Sequence, residues 1–129
     1  MNRAEAVSLA DRFIAAWNEQ DVETLAGCYS VDLRYRDPGT RGEVRGRDEF
    51  RRYLTKLFAS WQMRWSLREV HPFKEGDGAA VLWHATLRRV GGPEVVEVDG
   101  MDLVEVSGQL ICRNEVYFYR SVLAPLLAT

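Results

Sequence analysis

The prevailing period of the apolar residues differs between the two halves of the chain, and that difference limits the folds open to it. In the first half they recur mainly at helical spacing. In the second half they alternate, and glycine-bearing turns cut the alternation into segments. Val7, Leu9, Ala10, Phe13, Ile14 and Trp17 mark a first helix. Asn18 to Asp21 break the pattern. Asp21 then stands where it can cap a short second helix, with Thr24 as its N3 residue and Val22, Leu25, Ala26, Cys28 and Tyr29 along it. Val31, Leu33, Tyr35 and Asp37 alternate as a strand, which Pro38-Gly39 ends. A loop with Gly42 and Gly46 leads to a third helix, predicted over 47–61 from Phe50, Tyr53, Leu54, Leu57 and Phe58. Four further strands are predicted over 63–74, 79–90, 94–106 and 109–121, with turns at Gly76-Asp77-Gly78, Gly91-Gly92-Pro93 and Ser107-Gly108. Helices followed by an antiparallel meander make an α+β fold. Its curved sheet wraps on three N-terminal helices as a cone with an open mouth, and such a cone is a natural ligand cavity.

The chain of 129 residues fits one domain, 1–129, large enough to bury a core without disulfides or a structural metal. Its 17 Lys+Arg against 19 Asp+Glu leave a formal charge of −2, which gives no electrostatic footprint for nucleic acid. No apolar run approaches membrane length. The N-terminal stretch is helical and charged, without the apolar core of a signal peptide, so a cytoplasmic address is expected. Cys28 and Cys112 are far apart and outside any CxxC pair; they read as small buried hydrophobes in a reducing compartment. His71 and His84 are the only histidines, too few for a histidine-based metal site, and no metal is expected.

Two carboxylates fall in phase with apolar strand positions. Asp37 follows Leu33 and Tyr35. It reads either as a general base facing the cavity or as a cap on the Pro38-Gly39 turn. Asp102 shares phase with Val104 and Val106, against Asp99, Met101, Leu103 and Glu105 on the other face. Turned inward, it must be protonated or hydrogen-bonded, and Asn114, Trp17 or a buried water are its structural partners. Asn114, Val116 and Phe118 share one phase of the last strand. Trp83, in phase with Ala85 and Leu87, forms a cavity wall, and His84 points to the opposite face. Trp17, Tyr29, Tyr35, Tyr53, Phe58 and Trp61 either line the wall or fill the core. Arg45, Arg47, Arg51, Arg52 and Lys56, around the third helix, either steer an anionic substrate or form a solvated face diluted by Glu43, Asp48 and Glu49.

The series Arg12 to Asn18, Asp21, Tyr29 and Tyr35 to Gly39 forms a recognisable pattern. It continues in Gly100 to Leu103, Gly108 to Ile111 and Asn114 to Phe118. Together these resemble the NTF2-like superfamily, and within it the SnoaL-like polyketide cyclases and the ketosteroid isomerases. The resemblance implies a cone-shaped barrel, no cofactor, and a homodimer through the outer sheet face. It implies a small apolar ligand, with Phe13, Trp17, Tyr29, Tyr35, Phe58, Trp83, Asn114, Val116 and Phe118 as its wall. It matches Asp37 to the isomerases' proton-shuttling acid and Asp102 to their protonated acid; in the cyclases the base falls at Asp102. The isomerases' oxyanion tyrosine is Phe13 here, and the third member of the related epoxide hydrolases' acid-base set is Val116.

Three functions fit these residues. The first is proton transfer next to the carbonyl of a small, cyclic, mostly apolar substrate, with Asp37 as base and Asp102 as acid or oxyanion donor, by isomerisation or aldol cyclisation. The second is a binding domain that holds an apolar ligand without turnover. The third is an accessory dimer domain, with Trp65, His84, Met101, Tyr117 and Tyr119 as an outward patch.

Overall fold

The computed structural model describes residues 1–127. Three helices, α1 (Arg3–Glu19), α2 (Val22–Ala26) and α3 (Gly46–Ser60), pack into a curved six-stranded sheet. The strands are β1 (Tyr29–Arg36), β2 (Val44–Arg45), β3 (Trp61–Pro72), β4 (Gly78–Arg89), β5 (Val95–Ser107) and β6 (Leu110–Tyr117). Their order is β2-β1-β6-β5-β4-β3; β1 runs parallel to β6 and every other pairing is antiparallel. This is the expected α+β architecture.

Local chemistry sets the helix ends. Asn2 and Glu5 form a capping box at the start of α1, each side chain accepting from the other residue's backbone N–H. Asp21 caps α2 by accepting from the Thr24 N–H at 2.9 Å. The polar break after Trp17 has a second use. β3 is an edge strand, and Asn18 and Gln20 fill its unpaired backbone groups. Asn18 donates to Trp65 O and accepts from Trp65 N–H; Gln20 does the same with Trp61 O and Met63 N–H. These four bonds fix α1 across the concave face, where Leu9, Ala10, Phe13 and Trp17 bury against the sheet. Register shifts between Leu67 and Glu69 and between Glu105 and Val106 bend the long strands around the helices.

Three expectations are corrected. The loop before α3 contains a strand, β2, paired with Arg34 and Tyr35. The last strand ends at Tyr117 rather than at 121; the chain leaves the sheet for a 3₁₀ turn (Arg120–Leu123) and a short helix α4 (Ala124–Leu127). The physical reason is that Val122, Leu123, Leu126 and Leu127 recur at helical spacing, and Leu126 buries into the core. Trp65 points inward with Trp61, Met63 and Leu67, packing edge-on against Trp17 at 5.5 Å, so it leaves the proposed outward patch.

Candidate functional site

Helices α1 and α3 and the concave sheet enclose a cavity with about 340 Å³ of room. Its walls are mostly apolar: Phe13, Ile14, Trp17, Leu57, Trp61, Met63, Trp65, Trp83, Leu87, Val116 and Phe118. Its polar groups are few. Asp37, Asp102, Tyr35, Tyr53, Arg89 and Arg120 face it.

Asp102 projects from the concave side of β5 and is 4% exposed. The Trp83 indole N–H donates to its Oδ1 at 2.7 Å, and Asn114 Nδ2 donates to its Oδ2 at 2.8 Å. Each oxygen keeps one lone pair. Burial pushes the carboxyl up to about 7, against the Asn114 and Trp83 hydrogen bonds that hold it down, and the charge of Asp37 adds to the rise. A chain of donors lies behind it. Trp17 Nε1 donates to Tyr29 OH at 3.1 Å, Tyr29 OH donates to Asn114 Oδ1 at 2.7 Å, and Asn114 also donates to Leu103 O. Every member is satisfied, so the Asn114 amide has one orientation and its N–H faces Asp102.

The Tyr29 hydroxyl thus acts through Asn114, out of ligand reach. Tyr29→Phe leaves Asn114 Oδ1 and Trp17 Nε1 without their buried partner, and is expected to lower the unfolding free energy by about 2 kcal/mol. Urea denaturation measures this; unchanged stability would contradict the relay.

Asp37 sits one residue past the last β1–β6 pair, Arg36 with Glu115, and so at the level of Val116, which pairs with Asp102 on the other side. Two strand spacings separate the two acids, about 10 Å between backbones, with Val116 between them. Asp37 both caps the turn and faces the cavity. Its Oδ1 accepts from the Gly39 N–H at 2.7 Å, and its Oδ2 accepts from Tyr35 OH at 2.7 Å and from Tyr53 OH. Burial, then the Asp37 charge, raises the pKa of both tyrosines, so both remain hydroxyls.

The expected wall residues divide. Phe13, Trp17, Tyr35, Trp83, Val116 and Phe118 line the cavity with Asp37 and Asp102. Tyr29 and Asn114 are fully buried behind it. Phe58 does not reach it, and packs edge-on against Trp17 at 6.1 Å. None of Arg45, Arg47, Arg51, Arg52 or Lys56 lines the cavity; Arg51 pairs with Glu23 and Asp48, and Arg45 with Glu43. His84 lies on the outer face between Asp99 and Glu97, whose hydrogen bonds raise its pKa. Sequence reasoning missed Arg89, Arg120, Leu123 and Leu127 as lining residues. Arg89 had a signal: it continues the inward phase of Trp83, Ala85 and Leu87.

The SnoaL-like domain profile matches residues 10–114. The chain belongs to the SnoaL-like family. Several solved structures resemble it in fold. A Catenulispora acidiphila protein with a ketosteroid isomerase-like fold, solved with trimethylamine, aligns at TM-score 0.78 and 19% identity over 92% of this chain and 91% of that one. SalBIII, an epoxide hydrolase/cyclase-like enzyme of pyran ring formation in salinomycin, aligns at 0.81 and 15% identity over 93% and 95%. TerC, co-crystallised with polyporic acid, aligns at 0.77 and 18% identity over 98% of each chain. These likenesses establish the fold alone. No curated protein matches the chain.

Proposed function

We propose that this SnoaL-like protein is an acid–base enzyme that moves a proton on carbon next to the carbonyl of a small, mostly apolar, cyclic compound. The observation that carries this reading is Asp102: a buried carboxyl on an apolar cavity, its pKa raised to about 7, with a free lone pair on each oxygen. A base with a pKa near the working pH combines a useful ionised fraction with real proton affinity.

In this reading the Asp102 carboxylate takes the proton from the α-carbon. The C–H bond breaks, an O–H bond forms on Asp102, and the electron pair moves to the carbonyl oxygen as an enolate. Tyr53, a hydroxyl of α3 that lines the same cavity, turns its O–H from Asp37 to that oxygen. Asp102 then returns the proton to another carbon, giving isomerisation; or the enolate carbon bonds to a second carbonyl carbon of the same molecule, whose oxygen takes the proton from Asp102, giving cyclisation. All of these steps use side chains alone. Trp83 and Asn114 keep Asp102 aimed throughout. Asp37 is the alternative proton acceptor, but three donors already occupy its carboxylate oxygens and compete with a substrate for them.

The test is solvent-deuterium uptake into a panel of enolisable cyclic ketones, followed by mass spectrometry. Uptake is expected from the wild type and from Asp37→Asn at reduced rate, and is expected to disappear in Asp102→Asn. Uptake that survives in Asp102→Asn and vanishes in Asp37→Asn would reverse the two roles. A second reading, ligand binding without turnover, draws support from Phe13, which puts no hydroxyl where the isomerases carry their tyrosine. Thermal stabilisation by the same ketones with no uptake by any form would favour it.

The proposal includes a homodimer through the outer sheet face, supported by half-buried Leu82, Met101 and Leu103 side by side on β4 and β5. Sedimentation velocity tests it, and a monomer at high concentration would refute it. No described helix is long and apolar enough to cross a membrane.

A further inference from the structure

Four charged side chains face the cavity, and they are distributed unequally. The acids Asp37 and Asp102 are each held by neutral donors of the protein: tyrosine hydroxyls and a backbone N–H for one, an indole and an amide for the other. Neither touches a guanidinium. Arg89 and Arg120 are the cavity's cations, and among the described residues neither makes an ion pair or donates a side-chain hydrogen bond. Both are exposed, so they stand at the rim rather than in the floor.

Arg89 is nevertheless held in place. It ends β4, directly across from Trp61 on β3, and its guanidinium lies over the Trp61 ring at 5.3 Å from the centroid. Stacking on an indole uses the face of the guanidinium and leaves its N–H donors free in the plane. A positioned guanidinium with free donors, beside an aromatic cavity, matches a carboxylate or a similar planar anion. Arg120 approaches from the 3₁₀ turn that crosses from β6, so the two cations reach the rim from separate parts of the chain. An anionic group placed deeper would meet the negative charge of Asp37 and Asp102.

We infer that the ligand of this cavity is an organic acid: a ring body packed among the tryptophans, with its anionic group at the rim against Arg89 and Arg120. The inference rests on the reading that the cavity takes a small apolar carbonyl compound, and adds the charge and the direction of insertion. The acid end stays outward, so the carbonyl end is presented to Asp102.

The test uses 2-naphthylacetate and its uncharged methyl ester, titrated calorimetrically into the wild-type protein near neutral pH. The acid is expected to bind about tenfold tighter than the ester, the size of one charge-assisted hydrogen bond. In Arg89→Gln and Arg120→Gln the acid is expected to lose most of that advantage while the ester is unaffected. Arg52→Gln, on the exposed face of α3, removes the same charge away from the cavity and is expected to change neither affinity. Added salt is expected to weaken the acid and not the ester. Equal or tighter binding of the ester, or an Arg52→Gln loss matching the cavity variants, would overturn the inference and leave the apolar-ligand reading standing. If neither probe binds, the apolar-ligand reading fails with it.

Discussion

Asp102→Asn is expected to lower proton exchange by about a thousandfold, the scale of a lost general base, while making the protein progressively more stable than wild type as pH rises. The sign follows from linkage. The folded carboxyl titrates near 7 and the unfolded one near 3.8, so between those values the native state holds a proton that the unfolded chain has released. The stability this proton brings is present in full below the unfolded value and is lost as pH rises through the folded one. Asparagine does not ionise. The variant-minus-wild-type difference should therefore climb across that window, by up to the order of 4 kcal/mol, and flatten above it. The amide also sets an N–H against the Trp83 or Asn114 donor, but that cost is the same at every pH and drops out of the slope. Asp21 and Glu43, whose pKa values are lowered by the Thr24 and Arg34 hydrogen bonds respectively, titrate alike in both proteins and cancel. Thermal unfolding of the pair at several pH values reads the slope; a flat difference would contradict the protonated, buried state of Asp102.

Gly100→Ala is the second large effect. A Cβ at Gly100 would stand 2.5 Å from Trp83 Cη2 and 2.7 Å from the backbone oxygen of Tyr117. Both contacts are too short to survive, so β5 and β6 must spread at the Tyr117 carbonyl and the indole must swing away, taking its N–H from Asp102 Oδ1. The expected cost is about 2–3 kcal/mol of stability from overpacking. Because the Trp83 bond lowers the Asp102 pKa, its loss should also move the inflection of the exchange rate to higher pH. Denaturation and a pH–rate profile check the two halves. A stable variant with wild-type inflection would show that Trp83 does not position Asp102.

The cone was legible in the order of periods, because helical and alternating spacing are local properties of the chain. Asp102 was legible too, since it sits in phase with Val104; of its expected partners Asn114 donates to it, while Trp17 donates to Tyr29 instead. Its raised pKa was not legible: the burial responsible exists only once the chain is folded around β5, and the Trp83 partner comes from a register that only the folded sheet defines. Tyr53 lies in the apolar stripe of α3, where a ligand-facing hydroxyl and a core tyrosine look alike. Its placement on Asp37 depends on how α3 docks against β1. Asn114 and Tyr29 illustrate the converse. The resemblance turned Asn114 toward the concave side, where it bonds to Asp102, but neither it nor phase distinguishes a residue that lines a cavity from one sealed behind it.

The carboxyl carbon of Asp102, followed by ¹³C NMR across the pH range and assigned by its disappearance in Asp102→Asn, offers the most direct test. A titration centred near 7 is the expected result and would establish a proton-transfer group poised for neutral pH. A midpoint near the ordinary 3.8 would mean an always-ionised carboxylate, and the acid–base role assigned to this cavity would fall with it.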